Sequence, residues 1–176
     1  AKLLNEGKSV AVLNGLSEIG PRALGNRSIL FDCRNKDAKD LVNKIKQREW
    51  YRPFAASVLE KDAKRYFNMI VDKSPFMTIN FDVMSDNIPG VTHIDNTCRA
   101  QTVDKSIPHL YNLLKEFKNI TGHGILLNTS FNLAGQPLVE NVGQAIDILK
   151  NTSLDYVWLP EIGVVIEWKV YRLITL

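Results

Sequence analysis

Many familiar active-site signatures are missing from this sequence. No GxSxG elbow presents a nucleophilic serine, and no pair of carboxylates at a site-like spacing points to general acid–base chemistry. Neither common phosphate-loop fingerprint, GxxxxGK[ST] or GxGxxG, occurs, so no standard nucleotide fold follows from the glycines. The only cysteines, Cys33 and Cys98, are far apart and lack any CxxC or other metal-ligand spacing. One disulfide between them is conceivable, but free buried thiols in a reducing compartment are the expectation. Three histidines, His93, His109 and His123, are scattered, which disfavours a three-histidine metal site. No stretch reaches the ~20 apolar residues needed to cross a bilayer, and no signal-peptide pattern opens the chain, so a cytoplasmic location is expected. A strong excess of one charge is lacking too. The formal net charge of +3 is compatible with small anions or with RNA and chooses neither.

What remains is ordinary globular material. The 176 residues, 45% hydrophobic and 23% charged, suit one domain with ample core and no repeat, low-complexity tract or linker. Because Ala1 is not an initiator Met and sits in a helical pattern, the chain reads as a piece of a longer protein.

In order, Ala1 to Gly7 reads as a short helix closed by glycine, Ser9 to Leu13 as a strand and Asn14-Gly15 as a turn. Ser28 to Phe31 follows as a strand, then an amphipathic helix over Asp37 to Lys46 with apolar residues at 38, 41, 42 and 45. Ala55 to Leu59 reads as a strand, Lys61 to about Phe67 as a short charged helix, and Met77 to Met84 as an alternating strand. Asp86 to Gly90 is a loop, and Thr97 to Val103 a strand. Ile107 to Asn119 is a helix with a Leu110, Leu113, Leu114, Phe117 stripe. Gly124 to Asn128 is a strand, Thr129 to Gly135 a polar turn and Gly143 to Lys150 a helix, with strands over Tyr156 to Leu159 and Val164 to Trp168. Interspersed elements of both kinds predict an α/β fold with a mixed sheet and flanking helices.

Four stretches could carry chemistry. Lys46 to Phe54 (KQREWYRPF) concentrates Lys46, Arg48 and Arg52 among Trp50, Tyr51 and Phe54. If extended, residues 46, 48, 50 and 52 share one face, a cationic edge that invites an anion such as phosphate. The alternative is an edge strand blunted by charge. Arg22 and Arg27 sit on a Gly- and Pro-punctuated loop whose amides can approach an anion, or else pair with a carboxylate such as Glu18. Asn128, Ser130 and Asn132 follow an apolar strand, where ligands of α/β sheets collect, although Ser/Asn turns there are also plain structure. In His93 to Arg99, His93 with Asp95 could act as a base or hold a metal, but a hydrogen-bonding histidine is the simpler reading. Arg99 within a strand must face solvent or an anion. Trp50 and Tyr51 beside cations could stack a base, but one such stretch argues only weakly for RNA.

Taken together, GPRALGNRSIL, KxRExYRPF, HIDNTCRAQ and NTSFNLAGQPLV resemble the C-terminal domain of the NodU/CmcH-type O-carbamoyltransferases, a likeness running from Ala1 to about Ile166. The resemblance implies a YrdC-like fold, with a mixed, twisted sheet, over 1–176 as a single domain. It also implies the KxR and SxN signature shared with threonylcarbamoyl-AMP synthases and HypF, here Lys46-Gln47-Arg48 and Ser130-Phe131-Asn132. GPRALG and RPF belong to the carbamoyltransferase pattern and disfavour a threonylcarbamoyl-AMP synthase. The implied activity is formation of carbamoyl-adenylate from carbamoyl phosphate and ATP, with Mg²⁺ accompanying the nucleotide. Lys46, Arg48 and Arg52 would carry the catalysis, while Arg22, Arg27, Arg99, Asn128, Ser130 and Asn132 would bind the substrates. Fixed cations suit such a reaction, because little beyond charge stabilisation is asked of the protein. A covalently linked N-terminal Kae1-like domain with its own iron or zinc, absent from this sequence, would transfer the carbamoyl group to a hydroxyl. The chain departs from the family pattern at Ala56, Asn96 and Cys98, where Pro, Gly and Ala are usual. None of these removes an expected phosphate ligand.

Overall fold

The architecture was obtained as a computed structural model that describes residues 1–168 and the backbone of 172–175. Among these residues the elements run α1 (Lys2–Asn5), β1 (Val10–Leu13), β2 (Arg27–Phe31), α2 (Ala38–Ile45), β3 (Ala55–Leu59), a 3₁₀ turn (Glu60–Arg65), β4 (Asn80–Asp82) and β5 (Thr97–Val103). They continue with α3 (Pro108–Thr121), β6 (Ile125–Ser130), α4 (Val142–Asn151), β7 (Tyr156–Leu159), a second 3₁₀ turn (Pro160–Ile162), β8 (Val164–Glu167) and β9 (Arg172–Thr175). The strands form one sheet in the order β4-β5-β3-β6-β2-β1-β7-β8-β9. It is mixed: β1 with β7 and β3 with β5 are parallel, and the other pairings are antiparallel. This is a mixed α/β sheet flanked by helices, the class expected from the interspersed elements.

Strand alternation sends side chains to two cores, one on each face of the sheet. Ala11, Ile29, Phe31, Val58, Ile125 and Leu127 pack toward α2 and α4, which contribute Val42, Ile45, Ala145 and Leu149. Val10, Val12, Leu30, Leu59 and Leu126 pack toward α1 and α3, which contribute Leu4, Leu110, Leu114 and Phe117. Because both faces are covered, β1, β2 and β3 are buried along their whole length. The loop between β1 and β2 lies over the α3 side, where His109 Nε2 donates to Gly25 O at 3.0 Å. Gly25 has φ +125°, and a Cβ there would sit 3.0 Å from Leu110 Cδ2, so the loop needs glycine to pass so close to α3.

Three sequence expectations change. The strand foreseen over 77–84 shrinks to Asn80–Asp82 because Met77 adopts φ +54°, which an extended chain cannot contain. The 61–67 helix is a single 3₁₀ segment, Glu60–Arg65. β6 runs on through Thr129 and Ser130 rather than turning at 129, since Ser130 pairs with Ser28 of β2. β9, which pairs with β8, was not foreseen.

A cationic cleft beside the end of β6

The stretch from Lys46 to Phe54 is not an extended edge. After α2 ends, Lys46 remains in a helical conformation and Gln47 turns to φ +50°, which breaks the alternation that would have put 46, 48, 50 and 52 on one face. The side chains diverge accordingly. Lys46 is only 3% exposed, whereas Trp50 and Tyr51 stand 71% and 62% exposed, edge to face with one another. Arg52 points outward and pairs with Glu49 at 3.2 Å. Arg48 turns in: its guanidinium stacks 4.4 Å over the Phe54 ring and its Nε donates to Asn43 Oδ1 at 2.6 Å. His93 Nε2 donates to Phe54 O at 3.0 Å, so the histidine clips this stretch to the start of β5 and serves neither as a base paired with Asp95 nor as a metal ligand. Asp95 Oδ1 instead accepts from Thr97 Oγ1 at 2.7 Å, and among the described residues no group of His, Cys, Asp or Glu could hold a metal.

Lys46 reaches the end of β6. Its Nζ donates to Ser130 O, to Asn132 O and Asn132 Oδ1 at 2.9 Å each, and to Ser130 Oγ at 3.2 Å. Ser130 Oγ in turn donates to Asn132 Oδ1 at 2.6 Å. Burial, together with the positive Arg48 and Arg52 nearby, pushes the lysine down to about 7, while its four oxygen acceptors favour the ammonium form.

Next to this lysine lies a cleft of about 140 Å³, lined among others by Arg22, Arg48, Arg99, Met77, Asn128 and Ser130. Among the described residues no carboxylate lines it. Arg99 projects from β5 with Nε buried and without a hydrogen-bond partner. Burial and the charge of Arg22 lower its affinity for its proton. A buried guanidinium N–H left unpaired is costly unless a ligand completes it. Gln47 and Met77, both non-glycine residues at positive φ, flank the same site, where such strain tends to collect.

The structure therefore gathers Arg22, Arg48, Arg99, Asn128 and Ser130 in one cleft, with Lys46 and Asn132 bonded behind Ser130. It leaves two expected residues out. Arg52 is exposed and does not line the cleft. Arg27, expected as an anion ligand, is a correction: it is 3% exposed and all five of its N–H donors go to backbone carbonyls. Nε reaches Val139 O at 2.7 Å, Nη1 reaches Asn14 O at 2.8 Å and Asn26 O at 3.0 Å, and Nη2 reaches Gly15 O at 2.8 Å and Glu140 O at 3.3 Å. Nor does Glu18 pair with an arginine side chain. It accepts the backbone N–H groups of Leu24 (2.8 Å), Asn26 (2.7 Å) and Arg27 (3.1 Å), and so holds the loop that carries Arg22.

Sequence reasoning passed over Ser57 and Gln101. Both are fully buried and lie opposite each other in the β3–β5 ladder, with Ser57 Oγ donating to Gln101 Oε1 at 2.7 Å. The signal was present as a polar residue at an inward position of each strand. Cys33 and Cys98 are both free and buried, and burial pushes the Cys98 thiol up to about 12.

The fold is thus a mixed α/β sheet, and the cleft at its strand ends gathers three arginines and, among the described residues, no carboxylate. Comparison with known proteins names the family: residues 1–165 match the carbamoyltransferase C-terminus model, and the chain belongs to that family. It is 44% identical to nodulation protein NolNO of Sinorhizobium fredii, aligning over 88% of this chain and 24% of that protein. With nodulation protein U of Rhizobium tropici the identity is 36%, over 90% and 28% of the two chains. The chain thus spans about a quarter of the length of these relatives. Among solved structures, full-length HypF in its phosphate- and nucleotide-bound form superposes with a TM-score of 0.63 at 20% identity, covering 89% of this chain and 23% of that one. The HypF of T. kodakarensis gives 0.57 at 18%, over 89% and 19%. These two likenesses concern the fold alone. No helix among the described residues is long and apolar enough to cross a membrane.

Proposed function

We propose that the cleft brings carbamoyl phosphate and ATP together and forms carbamoyl-adenylate. The observation that carries this reading is the buried, unpaired Nε of Arg99 in a cleft that also receives Arg22 and Arg48 and contains no carboxylate. Water cleaves the phosphate from carbamoyl phosphate, leaving carbamate. A carbamate oxygen then attacks the α-phosphorus of ATP, and pyrophosphate leaves. Arg22, Arg48 and Arg99 offset the charge on the phosphates, and Lys46 gains full charge as the anions enter. Ser130 and Asn132, fixed by Lys46, present the end of β6 to the ligand. With no carboxylate in the cleft, Mg²⁺ would be held by the nucleotide and not by the protein, and no step is assigned to it. The adenylate would pass to a hydroxyl acceptor in another, Kae1-like domain of a longer polypeptide working in the cytoplasm, with any iron or zinc belonging to that domain.

The test is ATP–pyrophosphate exchange in the full-length protein. We expect exchange that depends on carbamoyl phosphate and is lost in Arg99→Ala and Lys46→Met. Exchange independent of carbamoyl phosphate, or unaltered in both variants, contradicts the proposal.

The exposed Trp50 and Tyr51 beside Arg52 favour a second reading, a non-catalytic module that stacks RNA bases. It predicts binding that falls steeply with salt and is lost in Trp50→Ala. RNA binding that ATP plus carbamoyl phosphate displace would place both ligands in one site.

A further inference from the structure

The hydrogen bonds beneath the cleft run in one direction. Leu24 O can only accept, so the Gln101 atom 2.8 Å away is Nε2, and Oε1 turns inward between β3 and β6. Ser57 Oγ donates to that Oε1 and is left to accept from Asn128 Nδ2 at 2.8 Å. Asn128 Nδ2 also lies 3.3 Å from Gln101 Oε1 and 3.4 Å from Ala23 O, both acceptors. Two backbone carbonyls of the β1–β2 loop, one directly and one through Gln101, thus lock the Asn128 amide with its nitrogen inward. Its Oδ1 is left buried with no partner, on a residue 1% exposed that lines the cleft.

Among the buried side-chain atoms of the residues lining the cleft, one donor, Arg99 Nε, and one acceptor, Asn128 Oδ1, are left without a partner. The two come from neighbouring parts of the sheet, since Ala55 pairs with Asn128 in one register and Ala56 with Ala100 in the other. A ligand that satisfies both is an anion carrying its own N–H donor. Acetyl phosphate has the acyl phosphate group but a methyl where carbamoyl phosphate has NH₂.

We propose that Asn128 Oδ1 reads the amino group of carbamoyl phosphate, and that Gln101 and Ser57 are positioning residues that hold the amide in that orientation. The assignment rests on the reading of the cleft as a carbamoyl phosphate site. A ligand lacking the amino group leaves Oδ1 buried and unpaired, so the site discriminates by a missing hydrogen bond and not by size.

Calorimetric titration of the full-length protein with carbamoyl phosphate, acetyl phosphate and inorganic phosphate tests this. The wild type is expected to prefer carbamoyl over acetyl phosphate by about tenfold or more. Asn128→Leu should bring that ratio close to one, losing far more affinity for carbamoyl phosphate than for inorganic phosphate. Gln101→Met, which frees the Asn128 amide to flip, should collapse the same ratio, whereas a merely structural role would weaken all three ligands together. A wild-type ratio near one, or a ratio retained in Asn128→Leu, overturns the assignment. So does an Asn128→Leu protein that loses ATP affinity while keeping the ratio, since Oδ1 then faces the nucleotide. If Asn128→Leu does not fold, the wild-type ratio and Gln101→Met decide the question. Carbamoyl phosphate bound without selectivity removes only this inference, whereas a wild type that binds none of the three removes the proposed function as well.

Discussion

Arg27 and Arg99 are both strand arginines beside the same β1–β2 loop, yet one is closed and the other open. Arg27 ends in a socket of carbonyls that takes every N–H it has. Arg99 keeps a buried N–H with no partner beside two further arginines. What separates the two arginines here is the accounting of donors, and neither the residue type nor its place in a motif reveals it. A saturated guanidinium holds the chain together. An unsaturated one, kept among like charges, is held at a cost to the fold.

The largest effect expected from that contrast is on stability. Arg27→Ala strips partners from carbonyls at both ends of the loop and should cost about 3–4 kcal/mol, read as a lower denaturant midpoint at unchanged slope. Arg27→Lys should not rescue it, because a single ammonium cannot span the socket. Arg99→Ala should leave stability within about 1 kcal/mol of wild type, or raise it, while weakening anion binding by about 2–3 kcal/mol, roughly thirty- to 150-fold. If Arg99→Ala unfolds the protein and Arg27→Ala does not, the contrast is inverted and the account fails.

A third effect concerns Lys46, and it is read as a pH dependence. Its folded value of about 7 lies below the ordinary lysine value. Between about 7 and the ordinary value, the unfolded chain holds a proton that the free folded protein does not, so Lys46 makes stability rise with pH across that window. Anion binding runs the other way. Above about 7 the ligand must draw a proton onto Lys46, so affinity should fall by up to about tenfold per pH unit. Sulfate, whose own charge is constant from pH 6 to 9, is the suitable probe, and Lys46→Met should flatten the profile. A wild-type profile already flat would show that the oxygen cage keeps the lysine charged throughout. The smallest effect belongs to Arg52, outside the cleft. Arg52→Ala should change anion affinity less than about threefold, and loss of its exposed pair with Glu49 should cost no more than about 0.5 kcal/mol.

Much of this was legible in the residues, and the remainder failed for definite reasons. The bounds of β3 and β5 were read to the residue from β-branched and apolar runs ending at turn residues. Arg99 stood out because a charge inside a strand needs a partner. The alternation read into 46–54 failed at a single dihedral, the left-handed Gln47, which glycine would have advertised and glutamine did not. Asn96 is the converse, since it adopts φ +60° where the family pattern has glycine. Arg27 was misplaced because a motif arginine looks the same in sequence whether carbonyls or a ligand take its donors. Ser57 and Gln101 were overlooked because each is a lone polar residue in an apolar strand, and their meaning appears only when the ladder sets them side by side.

The most direct test is a crystal structure of the protein with carbamoyl phosphate and a non-hydrolysable ATP analogue. The account predicts an anionic oxygen within hydrogen-bond distance of Arg99 Nε, between Arg22 and Arg48, with the Arg27 socket unchanged. Phosphates bound away from Arg99, with its Nε still unpaired, would contradict it.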